Sequence, residues 1–155
     1  MSELFVVGIN YASGAFTGKG LAKIDSASLE LTPVGDFTAP LTGKAAELTG
    51  TGDGKLYGFF TTSPATLAQI DKKTGAVMST RALTGVDVGD AWAFSFYGGD
   101  FWFYTAPSET KVPGSTSSVT RLRMSTDKSI SVVKKNIGFR IVGAGVSTCV
   151  PLNPK

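Results

Sequence analysis

The sequence contains no histidine at all. That removes the side chain that most often acts as a general base near neutral pH, and the commonest metal ligand. It contains one cysteine, Cys149, so no internal disulfide can form. With no histidine to take its proton, Cys149 reads as a small apolar residue rather than a nucleophile. Charge is sparse, 17% of residues, and 15 Lys and Arg against 12 Asp and Glu leave only +3. The basic residues are scattered, so nothing resembles a nucleic-acid footprint. No apolar run approaches the roughly 18 residues of a membrane-spanning helix, so no membrane span is expected. The opening "MSELFVVGINYASG" has an acidic start and too short an apolar run for a signal peptide. Helix signals are nearly missing; the spacing over 65–73 is weakly helical, but Pro64 in front of it and the matching repeats favour a strand.

What is present is 42% hydrophobic residues in 155, enough for one domain with a real core, together with 19 glycines and many Thr and Ser. That mixture predicts short strands joined by tight turns. The chain also repeats itself. "GLAKIDSASLELTPV" at 20–34 parallels "TLAQIDKKTGAVMST" at 66–80, and "SVTRLRMSTDKSISVV" at 118–133 is a looser copy. Each reads as strand, polar turn, strand. A short strand precedes each: "ELFVVG", "KLYGFF" and "DFWFYT". "ELTGTGDG" at 47–54 and "WAFSFYGG" at 92–99 precede two of those, and "RIVGAG" at 140–145 matches "ELTGTG" at 47–52.

The unit is thus four strands, a-b-c-d, returning about every 45–50 residues, a period that suits a β-propeller blade. Asp53-Gly54 and Gly98-Gly99 are two-residue hairpin signals between a and b. Asp71 to Gly75 separates c from d, and Asp25 repeats that turn without the glycine. The expected fold is all-β and β-propeller-type, with three four-stranded blades per chain. Strands b-c-d occupy 3–36, a-b-c-d 46–83, a-b-c-d 91–135, and a closing strand a 139–147. Three blades do not close a ring of the usual four to eight or so. Two completions offer themselves: a two-fold homodimer of six blades, each closing strand finishing the partner's first blade, or missing N-terminal blades of a longer chain. A closed sandwich or barrel is the remaining alternative.

Taken together, "KAAELTGTGDGKLYGFF", "LAQIDKKTGAV", "AWAFSFYGGDFWFYTA" and "GFRIVGAGVSTCVP" resemble the C-terminal region of predicted secreted β-propeller-like repeat proteins of myxobacteria, over nearly the whole chain from Leu4 to Pro151. The resemblance implies a propeller and a secreted or cell-surface location. In that family further repeats and a secretion signal precede this region. It supplies no activity and no binding residue.

Candidate sites come from the residues themselves. The segment 91–106 holds eight aromatic residues in sixteen positions. Both parities of "FWFYT" are large and apolar, which suits a strand covered on both faces, with Phe94, Phe96, Phe101 and Phe103 in the core. Trp102 and Tyr104 are the rings available for stacking on a sugar or base. Superposing the three a strands aligns Glu47, Trp92 and Arg140, which in a propeller would meet at a mouth of the central channel. There they could hold a polar ligand, or form an ion pair beside a packed indole. The loops 10–20 and 106–118 occupy one topological place, and Tyr11 and Phe16 are candidate anchors for a protein partner. No phosphate-cradling motif, catalytic base or metal cluster is recognisable, so no cofactor and no metal are expected; "GVDVGD" at 85–90 is a faint calcium pattern or a plain solvated loop. The expected function is a non-catalytic binding or scaffolding propeller. A lectin-like glycan-binding module using Trp92, Trp102 or Tyr104 is the alternative, and a hydrolase without a recognisable motif the third.

Overall fold

The computed structural model describes residues 3–10, 17–124 and 127–146. Among them are eleven strands and no helix, in three antiparallel sheets. The first sheet is β1 (Leu4–Asn10), β2 (Thr17–Ile24) and β3 (Leu31–Gly35), in that order. The second is β4 (Ala46–Gly50), β5 (Leu56–Phe60), β6 (Thr66–Ile70) and β7 (Val77–Ala82), again in chain order. The third is β8 (Ala91–Tyr97), β9 (Asp100–Ala106), β10 (Ser118–Leu122) and β11 (Ile130–Lys134), a meander like the other two. The fold is all-β.

The described residues cluster into two compact units, one built from residues up to Leu48 with Lys55–Ala82, the other from Thr49–Gly54 with the chain from Leu83 onward. The core of the first unit joins the first two sheets. Leu21, Phe37, Leu41, Ala46, Leu56, Phe60, Ala68 and Ile70 are buried together, with Phe5, Val7, Val34, Leu48 and Val77 around them. Burying each large side chain contributes roughly 1.5–3 kcal/mol. Phe37 meets Phe60 edge-on at 5.0 Å. The alternation of β5 puts Leu56, Gly58 and Phe60 on the core face, and Gly58 has no side chain for a reason. A Cβ there would lie 2.7 Å from Phe60 Cε2 and 3.0 Å from Ile70 Cδ1.

The turns explain why the strands end where they do. Between β6 and β7, Asp71 Oδ1 accepts the amides of Lys73 (2.7 Å) and Thr74 (3.0 Å), while the Gly75 amide donates to Asp71 O at 2.9 Å. Gly75 closes the turn at φ +76. Between β2 and β3, Asp25 Oδ1 accepts Ala27 N (2.9 Å) and Ser28 N (2.8 Å), and Leu29 N donates to Asp25 O at 2.9 Å. Here the closing residue is Leu29, at φ 61. The end of β3 lies against the Asp71–Gly75 turn so closely that a Cβ on Gly35 would overlap the Thr74 carbonyl oxygen. Thr38 Oγ1 accepts the Val77 amide beside it, at 3.0 Å.

In the second unit, Gly98 and Gly99 make the β8–β9 hairpin turn at φ 61 and 84, values only glycine adopts freely. Of the closing strand expected over 139–147, residues 139–146 lie in no strand, and residue 147 falls outside the described residues. Ser117 holds its beginning: its carbonyl accepts Ile137 N (3.0 Å), its amide donates to Phe139 O (2.9 Å), and its hydroxyl accepts Ile141 N (2.9 Å). The Phe139 carbonyl and the Ile141 amide, two of the groups a ladder over this segment would use, are thereby engaged.

Candidate functional site

The aromatic hairpin positions two different faces. Residues directly opposite across an antiparallel pair share a face. Phe94 faces Phe103 and Phe96 faces Phe101 across β8 and β9. Their rings stack or meet edge-on at 5.0–6.4 Å, and all four are buried. The other face carries Ser95 opposite Trp102 and Ala93 opposite Tyr104, and continues onto β10 as Arg121 opposite Trp102 and Val119 opposite Tyr104.

On that second face the ring and hydroxyl groups are tied to their neighbours. Trp102 Nε1 donates to Tyr97 O at 3.0 Å. The hydroxyls of Ser95 and Tyr104 are bonded at 3.1 Å. The Arg121 guanidinium carbon sits 5.2 Å from the centre of the Trp102 ring, a cation–π contact worth about 0.5–1 kcal/mol at a partly exposed site. Arg121 is held there by Asp100, only 2% exposed. The Asp100 Oδ2 atom accepts Arg121 Nε at 2.7 Å and also Nη2, and Oδ1 accepts the Met124 amide at 2.9 Å. Trp102 and Tyr104 stay half-buried and Tyr97 is exposed. The face can therefore offer fixed rings and a fixed cation to a flat or sugar-like ligand. Sequence reasoning named Trp102 and Tyr104 but missed Arg121 and Asp100; their joint position depends on strand register, which no local spacing reveals.

The remaining candidates lie elsewhere. Trp92 is half-buried opposite Thr105, on the Phe94–Phe103 face, so it shares no platform with Trp102. Arg140 is engaged by the loop after β9. Its Nη1 donates to Pro107 O (3.1 Å), Glu109 Oε1 (3.0 Å), Ser115 O (3.1 Å) and Ser115 Oγ (2.7 Å). The same loop is tied by Asp90, which accepts Glu109 N at 3.0 Å, and by Glu109, which accepts Gly114 N at 3.0 Å. The Ser108 hydroxyl first, then the Glu109 amide and the Arg140 and Lys111 charges, hold the Asp90 carboxyl below its ordinary range. Glu47 is on β4, half-buried, in the first unit, and it too has partners. Trp92 and Arg140 belong to the second. Tyr11, Phe16 and Cys149 lie outside the described residues.

One further concavity was not foreseen. In the first unit a cleft of about 730 Å³ is lined by residues 42–45 and 61–63, with Lys44 among Thr42, Thr61, Thr62 and Ser63. Among the described residues no group of three or more Asp, Glu, Cys or His could hold a metal ion, the "GVDVGD" loop included. Among the described residues no helix is long and apolar enough to cross a membrane.

No protein-family model matches the sequence, and no curated protein is significantly similar to it. Among solved structures, a chain of Kuenenia stuttgartiensis hydrazine synthase is similar over 74% of this chain, at 15% identity and a TM-score of 0.49. The present chain spans 35% of the length of that chain.

Proposed function

We propose that the chain is a non-catalytic, β-propeller-type binding or scaffolding protein, of the kind its resemblance to the myxobacterial repeat proteins implies. It works at the cell surface or outside the cell as a two-fold assembly of six sheets and presents its loops to a partner. The observation that supports this reading is the outer face of the first sheet. Leu4, Ile24 and Leu31 stand directly opposite one another across β1, β2 and β3, and Val6, Ala22 and Pro33 form the next row. Leu4 is 51% and Leu31 58% exposed. A contiguous apolar sheet face of this kind calls for a cover, and a second copy supplies one without any further component. Four carboxylates already have structural work, Asp25 and Asp71 in turns, Asp90 in a loop and Asp100 on Arg121, which supports a reading without catalysis.

Light scattering tests it. The expected mass is twice the 16.1 kDa chain mass, falling to the single chain in a Leu4→Lys, Leu31→Glu double variant that keeps its circular dichroism. A wild-type chain that stays at its own mass at high micromolar concentration would overturn the assembly.

A second reading, glycan binding, is favoured by the half-exposed Trp102–Tyr104 face with its hydroxyls and cation. Glycan-array binding that disappears in Trp102→Ala would support it; an array without signal would remove it.

A further inference from the structure

Resting on the two-fold assembly just proposed, we infer that the free edge of β1 accepts the segment 141–146 of a second copy as a fourth strand. The first sheet has three strands where the other two have four. Matching the Asp25 and Asp71 turns hydrogen bond by hydrogen bond identifies which strand it lacks. β2 and β3 correspond to β6 and β7, so β1 corresponds to β5, and the empty place is the one β4 fills beside β5.

Among the described residues β1 is an edge strand, bonded on one side only, to β2. Edge strands in water are usually blunted by proline or charge. The opposite edge, β3, carries Pro33, whereas β1 reads "LFVVGIN", with neither. The register shift between Val7 and Ile9 interrupts the ladder near the end of β1, so Leu4–Val7 is the regular stretch of edge that can accept an added strand, with affinity from main-chain hydrogen bonds.

The donor is named by the other end of the chain. "RIVGAG" at 140–145 matches "ELTGTG" at 47–52, the stretch that contains most of β4. Beyond Ile141, whose amide is held by Ser117, the run Val142, Gly143, Ala144, Gly145 is exposed, Val142 at 74%, and lies in no strand. Six residues extended span about 20 Å, most of the length of the seven-residue β1. An apolar, glycine-containing segment of the missing strand's type and an edge lacking that strand are complementary halves of one ladder.

The experiment uses the full chain and a Val142→Pro, Ala144→Pro double variant, which removes two donors from the segment without touching any hydrogen bond described in the fold. Two readouts are taken together: mass by light scattering, and amide exchange of residues 4–8 by mass spectrometry. The expected result is a twofold drop in mass and loss of exchange protection in β1, with circular dichroism retained. A dimer that keeps both its mass and its β1 protection in the double variant overturns strand donation while leaving the assembly through the Leu4–Leu31 face intact. Protection lost without a change in mass overturns donation between copies. A wild type at the mass of one chain overturns both.

Discussion

Leu29 stands in the first sheet where Gly75 stands in the second. Each donates its amide to the carbonyl of an aspartate four residues earlier, and each has a positive φ, 61 for the leucine and 76 for the glycine. A branched side chain in the left-handed region costs about 1–2 kcal/mol, part of which glycine would forfeit through its freer unfolded chain. Leu29 is 75% exposed, so little packing is at stake. Leu29→Gly is expected to raise stability by about 0.5–1 kcal/mol, measured as a higher urea midpoint at unchanged slope.

Gly35 is the reverse case. Its neighbour is backbone, the Thr74 carbonyl, and backbone cannot rotate away as a side chain can. Gly35→Ala should destabilise the first unit by about 1–3 kcal/mol. A thermal midpoint equal to that of the wild type would contradict the close contact of the β3 end with the Asp71 turn.

Arg140 fastens the loop after β9 through four acceptors on three residues, and its side chain is 23% exposed. Arg140→Ala is expected to cost about 2 kcal/mol and to open residues 107–117 to limited proteolysis. Arg140→Lys should recover only part of the loss, because an ammonium on a flexible stem does not reproduce a planar guanidinium. Full rescue by lysine would mean that charge alone, not the fixed donor geometry, holds the loop.

Acid should act through the turns. The carboxyls of Asp25, Asp71 and Asp127 are held below their ordinary value of 3.8. The leading causes are the Ser28 amide for Asp25, the Lys73 amide for Asp71 and the Ser129 amide for Asp127. A carboxyl lowered by folding contributes stability that is complete above its unfolded value, and that is lost as pH falls through the folded one. The urea midpoint is therefore expected to hold down to about pH 5 and then decline below about pH 4. Asp71→Asn can still accept the turn amides but does not titrate, so its decline should be shallower. An unchanged acid profile would separate these bonds from acid stability.

Some of this was legible in the residues and some was not. The all-β fold could be read because turn chemistry is local: Asp71 with Gly75, and the pair Gly98-Gly99, announce their turns within a few positions. Burial of Phe94, Phe96, Phe101 and Phe103 could be read from the size of the residues on both parities. The place of Arg140 could not. Alignment with Glu47 put it in a strand, but its acceptors, Pro107, Glu109 and Ser115, lie 25–33 positions earlier in an irregular loop. Arg121 over Trp102 escaped for the same reason: cross-strand register joined residues that sequence spacing keeps apart. Leu29 was hidden because a local rule, glycine at the end of an Asp turn, is broken there.

Both tryptophans of the chain, Trp92 and Trp102, sit on the β8–β9 hairpin, within the second unit. Their emission is thus an optical signal from that unit alone, and the loss of Arg121 from the indole face would register in it directly. Far-ultraviolet circular dichroism, by contrast, sums over all three sheets. Superimposable melting curves from the two probes would mean that the halves of the chain unfold as one cooperative body, and an early dichroic phase without a change in emission would mean that the first unit melts on its own.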